Sequence, residues 1–186
     1  MGSTHFSERL TFGAVELDLL RPESAEALLD EEAFAHDEFL PYWAELWPAA
    51  HALAAALPDV AGLRVVELGC GLGLPSLVAA AREARVTATD WAAEAIDLLR
   101  RNAARNGLEL TAECRDWREP WDERFELALA ADVLYERRNA EPLVQRLSTL
   151  ADASLIGLAG RPYEETFLRL WPGDVETVGD RVVRLT

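Results

Sequence analysis

From residue 64 onward, short apolar runs alternate with stretches of helical periodicity, and that alternation leaves few folds open to the chain. Arg64 to Leu68 (RVVEL) runs into glycines and reads as a buried strand. Leu74 to Arg82 is helical, and Arg85 to Thr89 (RVTAT) is a second strand that stops at Asp90. Ala92, Ala95, Ile96 and Leu99 have helical spacing in a segment that runs to Asn106, where Asn106-Gly107 supplies a cap. Leu110 to Cys114, Phe125 to Ala131 and Ser154 to Ala159 are the third, fourth and fifth strands, with a helix over Ala140 to Leu150. Tyr163 to Leu170 reads as helix and Val175 to Leu185 as a closing hairpin. This pattern predicts an α/β fold, a doubly wound parallel sheet with helices on both faces. Ligands bind such sheets beyond the carboxyl ends of the strands, so the residues just after each strand are the candidates for function.

Upstream the pattern is less regular. Leu10 to Leu20 alternates in part and predicts one or two short strands, broken by Arg21-Pro22. Ser24 reads as the N-cap of a helix over Ala25 to Ala35, with Asp30, Glu31 and Glu32 on its solvated face. Pro41-Tyr42-Trp43 opens an aromatic stretch that ends in Trp47-Pro48, and a helix from Ala49 to Leu57 is stopped by Pro58. A length of 186 residues suits one domain. The expected organisation is an N-terminal extension over 1–40 and the α/β domain over 41–186.

The first strand leads into Glu67-Leu68-Gly69-Cys70-Gly71-Leu72-Gly73. Glycines at a strand-to-helix turn let the backbone approach a ligand closely. The spacing is G-x-G-x-G, whereas the dinucleotide fingerprint is G-x-G-x-x-G. Glu67 would be repelled by a pyrophosphate and favoured beside the amino group and sulfonium of a cationic ligand. The turn therefore points to S-adenosylmethionine and away from NAD. Cys70 is a small residue that suits packing inside this turn. Asp90, after the second strand, can accept both hydrogen bonds of a ribose diol or cap the next helix, and the two roles are compatible. Trp91 follows it. After the third strand, Asp116 can accept a hydrogen bond from an adenine amino group and Trp117 can pack on the ring. After the fourth strand, Ala131-Asp132-Val133-Leu134-Tyr135 places a carboxylate and a phenol at the mouth of the site, where a methyl acceptor would enter. A structural Asp cap beside a packed Tyr is the other reading of that pair.

Composition narrows the partners. A net charge of −15 disfavours nucleic acids and anionic membranes. It suits a basic partner, or a solubilising surface. Two cysteines, Cys70 and Cys114, exclude a disulfide scaffold and fit a cytoplasmic location. All 18 basic residues are Arg, and with abundant Ala this resembles the usage of a GC-rich bacterial genome. MGSTHFSERL has no apolar stretch of the kind a signal peptide needs, and no apolar run is long enough to span a membrane. His5, His36 and His51 are scattered and neither cysteine has a CxxC partner, so no metal is expected.

Taken together these residues resemble the seven-β-strand class I methyltransferases that use S-adenosylmethionine, and within them the protein-lysine methyltransferase branch. Leu46-Trp47-Pro48-Ala49-Ala50 matches the branch's aromatic segment, and Asp132 to Tyr135 matches its (Asp/Glu)-x-x-(Tyr/Phe) motif. The resemblance covers about residues 40 to 160. A finer similarity is to the electron-transfer-flavoprotein β-subunit lysine methyltransferases, on Pro41-Tyr42-Trp43-Ala44 and on Leu155-Ile156-Gly157 with Gly160-Arg161-Pro162. The chain departs from those enzymes at Gly157-Leu158-Ala159-Gly160-Arg161, where they carry a more polar Gly-Asp-Pro-Gly-Arg-type segment. The resemblance implies cofactor contacts from Trp47, Gly69, Cys70, Gly71, Asp90, Trp117 and Ala131. With Glu67, Gly73, Trp91 and Asp116 these form the expected cofactor set. It implies that Asp132 and Tyr135 place a target lysine. Tyr42 and Trp43 either line the acceptor entrance or belong to the core.

The expected activity is N-methylation of lysine in a protein, by a monomer. Asp132 is expected to capture and orient the amine, Tyr135 to narrow the pocket, and water to take the proton. A small-molecule N-methyltransferase and a cofactor-binding module without catalysis are the alternatives. Residues 132 to 135 lack the Asn-Pro-Pro-Tyr-type motif that serves planar base nitrogens.

Overall fold

The computed structural model describes residues 5–25, 28 and 41–186. The helix expected from Ala25 to Ala35, with its acidic face, lies almost wholly outside the described residues. Nine strands and five α-helices form, in the order β1 (His5–Phe12), β2 (Val15–Pro22), α1 (Pro48–Ala56), β3 (Arg64–Leu68), α2 (Leu74–Ala81), β4 (Arg85–Asp90), α3 (Ala93–Arg105), β5 (Thr111–Cys114), β6 (Phe125–Ala131), α4 (Ala140–Leu150), β7 (Ala151–Gly157), α5 (Glu164–Leu170), β8 (Val175–Gly179) and β9 (Val182–Leu185). These counts apply to the described residues.

The main sheet has strand order β5-β4-β3-β6-β7-β9-β8. β3 to β7 are parallel, while β9 runs antiparallel to β7 and β8 antiparallel to β9. The parallel sheet expected from the strand-helix alternation is present as β3 to β7, and the closing hairpin completes the seven strands with two antiparallel ones. The closing hairpin was expected, but its place on the β7 edge follows from pairing that local sequence does not encode. β7 also begins and ends earlier than expected. Ala151 pairs with Phe125, while the Leu158 and Ala159 N–H groups donate to the Arg181 carbonyl and the Glu164 carboxylate.

Strand alternation divides the core in two. Val65, Leu129 and Leu155 face α1, α2 and α3, while Val66, Ala128, Ala130 and Ile156 face α4 and α5. Continuously apolar strands such as FELALAA are what a sheet covered on both faces requires.

β1 and β2 form an antiparallel hairpin turned at Gly13-Ala14, longer than the partial alternation predicted. Its Phe12, Leu17 and Leu19 join the same apolar cluster as α1, α2 and α3. β2 is also gripped from α3. The Asn102 amide donates to the Leu20 carbonyl at 2.9 Å and accepts from its N–H at 2.7 Å. The Asn106 amide does the same to Asp18, at 3.1 and 2.8 Å. No helix of the described residues is long and apolar enough to cross a membrane.

Candidate active site

All five parallel strands end on one side of the sheet. The chain leaves β3 toward β4 and β5, then crosses back to β6 on the other flank. The switch point therefore lies between β3 and β6, where the strand tops part and a ligand can enter. A cavity of about 650 Å3 opens there, within the roughly 300–1,000 Å3 of small-molecule sites.

The glycine turn forms its floor. Gly69, Gly71 and Gly73 all hold left-handed φ, at 64°, 51° and 71°. A Cβ on Gly71 would lie 3.1 Å from the Trp43 carbonyl oxygen, and one on Gly73 2.4 Å from Leu99 Cδ1. The turn is fixed by its neighbour strand. Cys70 N–H donates to the Thr89 carbonyl at 2.9 Å, and Gly71 N–H to Asp90 Oδ2 at 2.8 Å.

Two carboxyl groups stand behind this turn. Glu67, 1% exposed, accepts through Oε2 from the Ser76 N–H at 2.9 Å and from the Ser76 hydroxyl. It thereby satisfies an otherwise orphan donor in the first turn of α2. Burial pushes its pKa up to about 8; the Ser76 hydrogen bonds oppose this and the Asp90 charge adds to it. Asp90 accepts through Oδ1 from Ala92 N–H at 3.0 Å, so it caps α3 as well as bracing the glycine turn. Burial raises its pKa too, against the pull of those N–H donors. Burial first, and the two carboxyls after it, push the Cys70 thiol up, which makes it a packing residue and not a nucleophile.

The side wall comes from the loop after β5. Trp117 is buried, with the Arg118 guanidinium 4.8 Å above its ring. Asp116 accepts from Arg118 N–H at 2.8 Å and from its Nη1 at 3.0 Å, so its oxygens are already partly engaged. Arg118 also donates to Asn139 Oδ1 at 2.7 Å, and Asn139 donates to the Val133 carbonyl at 2.9 Å. This chain of bonds ties the wall after β5 to the loop after β6. Trp91 is 66% exposed at the rim.

The opposite rim is aromatic. Trp47 caps α1 with Pro48 at its first turn, and its indole N–H donates to the Tyr42 carbonyl at 2.8 Å. The Tyr42 ring lies 6.3 Å from Trp47 and 6.1 Å from Tyr135. The backbone after Trp47-Pro48 gives Gly157 a packing reason: a Cβ there, at the end of β7, would lie 2.6 Å from the Ala49 carbonyl oxygen. Trp43 is half-buried against the core, and Tyr42 is exposed. Burial, with Glu136 adding, raises the Tyr135 phenol.

Asp132 sits at the end of β6 with φ 52°, an uncommon left-handed conformation for a residue with a side chain. It is not a lone carboxylate. Arg161, from the loop after β7, donates Nε to Oδ1 and Nη2 to Oδ2, each at 2.7 Å.

The structure brings every sequence-predicted site residue to this one cavity: Tyr42, Trp43 and Trp47; Glu67, Gly69, Cys70, Gly71 and Gly73; Asp90, Trp91, Asp116 and Trp117; Ala131, Asp132 and Tyr135. Sequence reasoning did not assign Arg161, Arg118, Glu45 or Glu136 to the site, yet all four line it. The strand-end rule could have found three of them. Glu45 lies before α1, where the rule is silent.

A seven-stranded sheet of this order, with a glycine turn and an acidic strand end at the switch point, defines the class I S-adenosylmethionine-dependent methyltransferase fold. A 16S rRNA N2 methyltransferase from T. thermophilus, solved with AdoMet and guanosine, superposes with a TM-score of 0.75 at 18% identity, over 99% of this chain and 51% of that one. A magnesium protoporphyrin IX methyltransferase from Synechocystis, solved with SAM, gives 0.57 at 18% identity, over 68% of this chain and 70% of that one. At such identities the likeness concerns the fold alone. The chain belongs to the lysine methyltransferase family, whose model matches residues 43–169. It is 33% identical over 128 residues to a protein N-lysine methyltransferase of Danio rerio, covering 62% of this chain and 58% of the relative. It is 34% identical over 131 residues to the electron transfer flavoprotein beta subunit lysine methyltransferase of Danio rerio, covering 65% and 51%. The aligned region thus spans little more than half the length of these relatives.

Proposed function

We propose that the protein transfers a methyl group from S-adenosylmethionine to a lysine side chain of a protein. The observation that carries this reading is the meeting of glycine turn, buried carboxyls and Asp132-to-Tyr135 segment in one cavity of a lysine methyltransferase family member. The cavity fits the cofactor. The three left-handed glycines shape the turn that floors it, Asp90 suits a ribose diol, Trp117 offers an apolar wall, and Glu67, which burial keeps protonated up to about pH 8, meets an amino group only as a neutral hydrogen-bond partner. Trp47, Gly69, Cys70, Gly71, Gly73, Trp91, Asp116 and Ala131 complete the proposed cofactor set.

When bound, the cofactor supplies an activated methyl on a cationic sulfur, so the protein's task is to orient the reactants and exclude water. Tyr42, Trp43 and Tyr135 form the acceptor entrance in this reading, and the neighbouring rings of Tyr42 and Tyr135 suit the aliphatic stem of a lysine. Asp132 orients the amine by accepting a hydrogen bond from it. The amine must present a free lone pair, and its surplus proton passes to water.

The test is incubation of the purified protein with methyl-labelled S-adenosylmethionine and a lysate of its source cells. Label in a discrete protein band, traced to lysine by mass spectrometry, is the expected result. Label confined to small molecules would replace this reading with metabolite methylation. Cofactor binding without any label would leave a binding module.

A further inference from the structure

The Asp132 side chain is only 4% exposed, and its partner is held in place three ways. The Arg161 fork takes both carboxylate oxygens. The guanidinium lies 5.6 Å from the Trp47 ring centroid, on the aromatic rim. The loop that carries Arg161 is fastened by Glu164, whose carboxylate accepts from the N–H groups of Ala159 and Gly160 at 2.7 and 3.0 Å. A planar fork on a carboxylate adds geometric specificity as well as attraction, which a lysine ammonium cannot reproduce.

We propose that Arg161 is a positioning residue that neutralises Asp132, so that the acceptor amine is held by a hydrogen bond without being trapped as an ammonium ion. The proposal rests on the lysine-methylation reading above. A lysine amine starts with a pKa of ~10.4, and an unpaired carboxylate nearby would raise it by ~1–3 further. That would tighten binding of the unreactive cation and starve the reaction of free base. Pairing with Arg161 cancels most of this field and leaves desolvation, which acts in the productive direction. An ionised carboxylate offers about four lone-pair sites. The fork occupies two of them, so Asp132 can still accept from the amine. Arg161 itself stays protonated, since the Asp132 hydrogen bonds raise its already high pKa.

The other ionisable groups around the pair are Tyr42 and Glu45 before α1, Asp90 at the end of β4, Asp116 and Arg118 after β5, Tyr135, Glu136 and Arg138 after β6, and Glu164 on α5 beside Arg161. They are common to wild type and variants, so a change confined to Arg161 variants reports the pair. The acceptor is the lysate protein that the wild type labels. With it, kcat is measured against pH for wild type, Arg161→Gln and Arg161→Lys, with folding checked by circular dichroism. The kcat profile reports groups in the bound complex. Arg161→Gln is expected to move its midpoint up by about one pH unit or more. Arg161→Lys keeps the charge and is expected to stay near the wild-type midpoint at a lower rate. Arg161→Met replaces the glutamine variant if that one fails to fold, with the same expected shift. A uniform loss of rate with an unmoved midpoint would overturn the proposal and leave the methylation reading intact. If the wild type labels no protein, the methylation reading fails and this proposal goes with it.

Discussion

At the residue scale, the cavity separates groups that shape cofactor binding from groups that face the acceptor. Gly71 has φ 51°, and the Trp43 carbonyl oxygen lies 3.1 Å from where its Cβ would be. Gly71→Arg is therefore expected to abolish both cofactor binding and methyl transfer. Asp132 lies on the other side of the switch point, so Asp132→Ala is expected to abolish transfer while cofactor affinity, read by calorimetry, stays within a few-fold. Full turnover in Asp132→Ala would remove it from the mechanism. Glu67 gives a prediction of a different kind. Its pKa is pushed up to about 8 by burial, so the folded protein holds that proton more tightly than an unfolded chain does. The stability it contributes is complete below the ordinary value of 4.5 and is lost as pH rises through about 8. The ligand-free protein should lose urea resistance across that window, and Glu67→Gln should flatten the loss while still accepting from Ser76 N–H. An equally steep decline in the variant would place the titrating group elsewhere.

At the element scale, the most exposed dependence is that of β2 on α3. Asn102 is buried, and its amide satisfies both the N–H and the carbonyl of Leu20 as a neighbouring strand would. Asn102→Ala leaves two half-buried backbone groups without partners, at about 1–3 kcal/mol each. The expected loss is about 2–6 kcal/mol by chemical denaturation, with the α/β sheet intact. A loss well under 1 kcal/mol would mean that water replaces the amide. This contact also shows where sequence reading stops. RVVEL, RVTAT and FELALAA announce themselves as short runs rich in β-branched or apolar residues between helical stretches, and the glycine turn and Asp90 announce themselves because ligand sites follow strand ends. β1 does not, because HFSE lacks apolar alternation; its strand character comes from pairing with β2, and β2's outer edge from a helix far along the chain. Arg161 was visible as part of a Gly-Arg-Pro segment. Its function was not, because the fork to Asp132 exists only once β6 and β7 lie side by side and Gly160 turns with φ 82°.

At the scale of the whole molecule, the family match over residues 43–169 leaves part of the buried core outside it. Phe12, Leu17 and Leu19 from the hairpin and Val182, Val183 and Leu185 from β9 all lie in the buried core, outside that match. Each is worth roughly 1.5–3 kcal/mol when fully buried, together on the order of 10 kcal/mol, as large as the ~5–15 kcal/mol that holds a typical domain folded. Removing them would also bare the apolar faces of α2 and α3 and the β7 edge, whose backbone groups would be open to pairing with another chain. A chain trimmed to 43–169 is therefore expected to associate, or to keep helical far-ultraviolet signal while losing the near-ultraviolet signal of its packed tryptophans and a cooperative thermal transition. The full chain should melt in one transition. A cooperative melt of the trimmed chain with cofactor affinity retained would show that hairpin and closing strands are accessories, and that the five parallel strands with their helices carry the site alone.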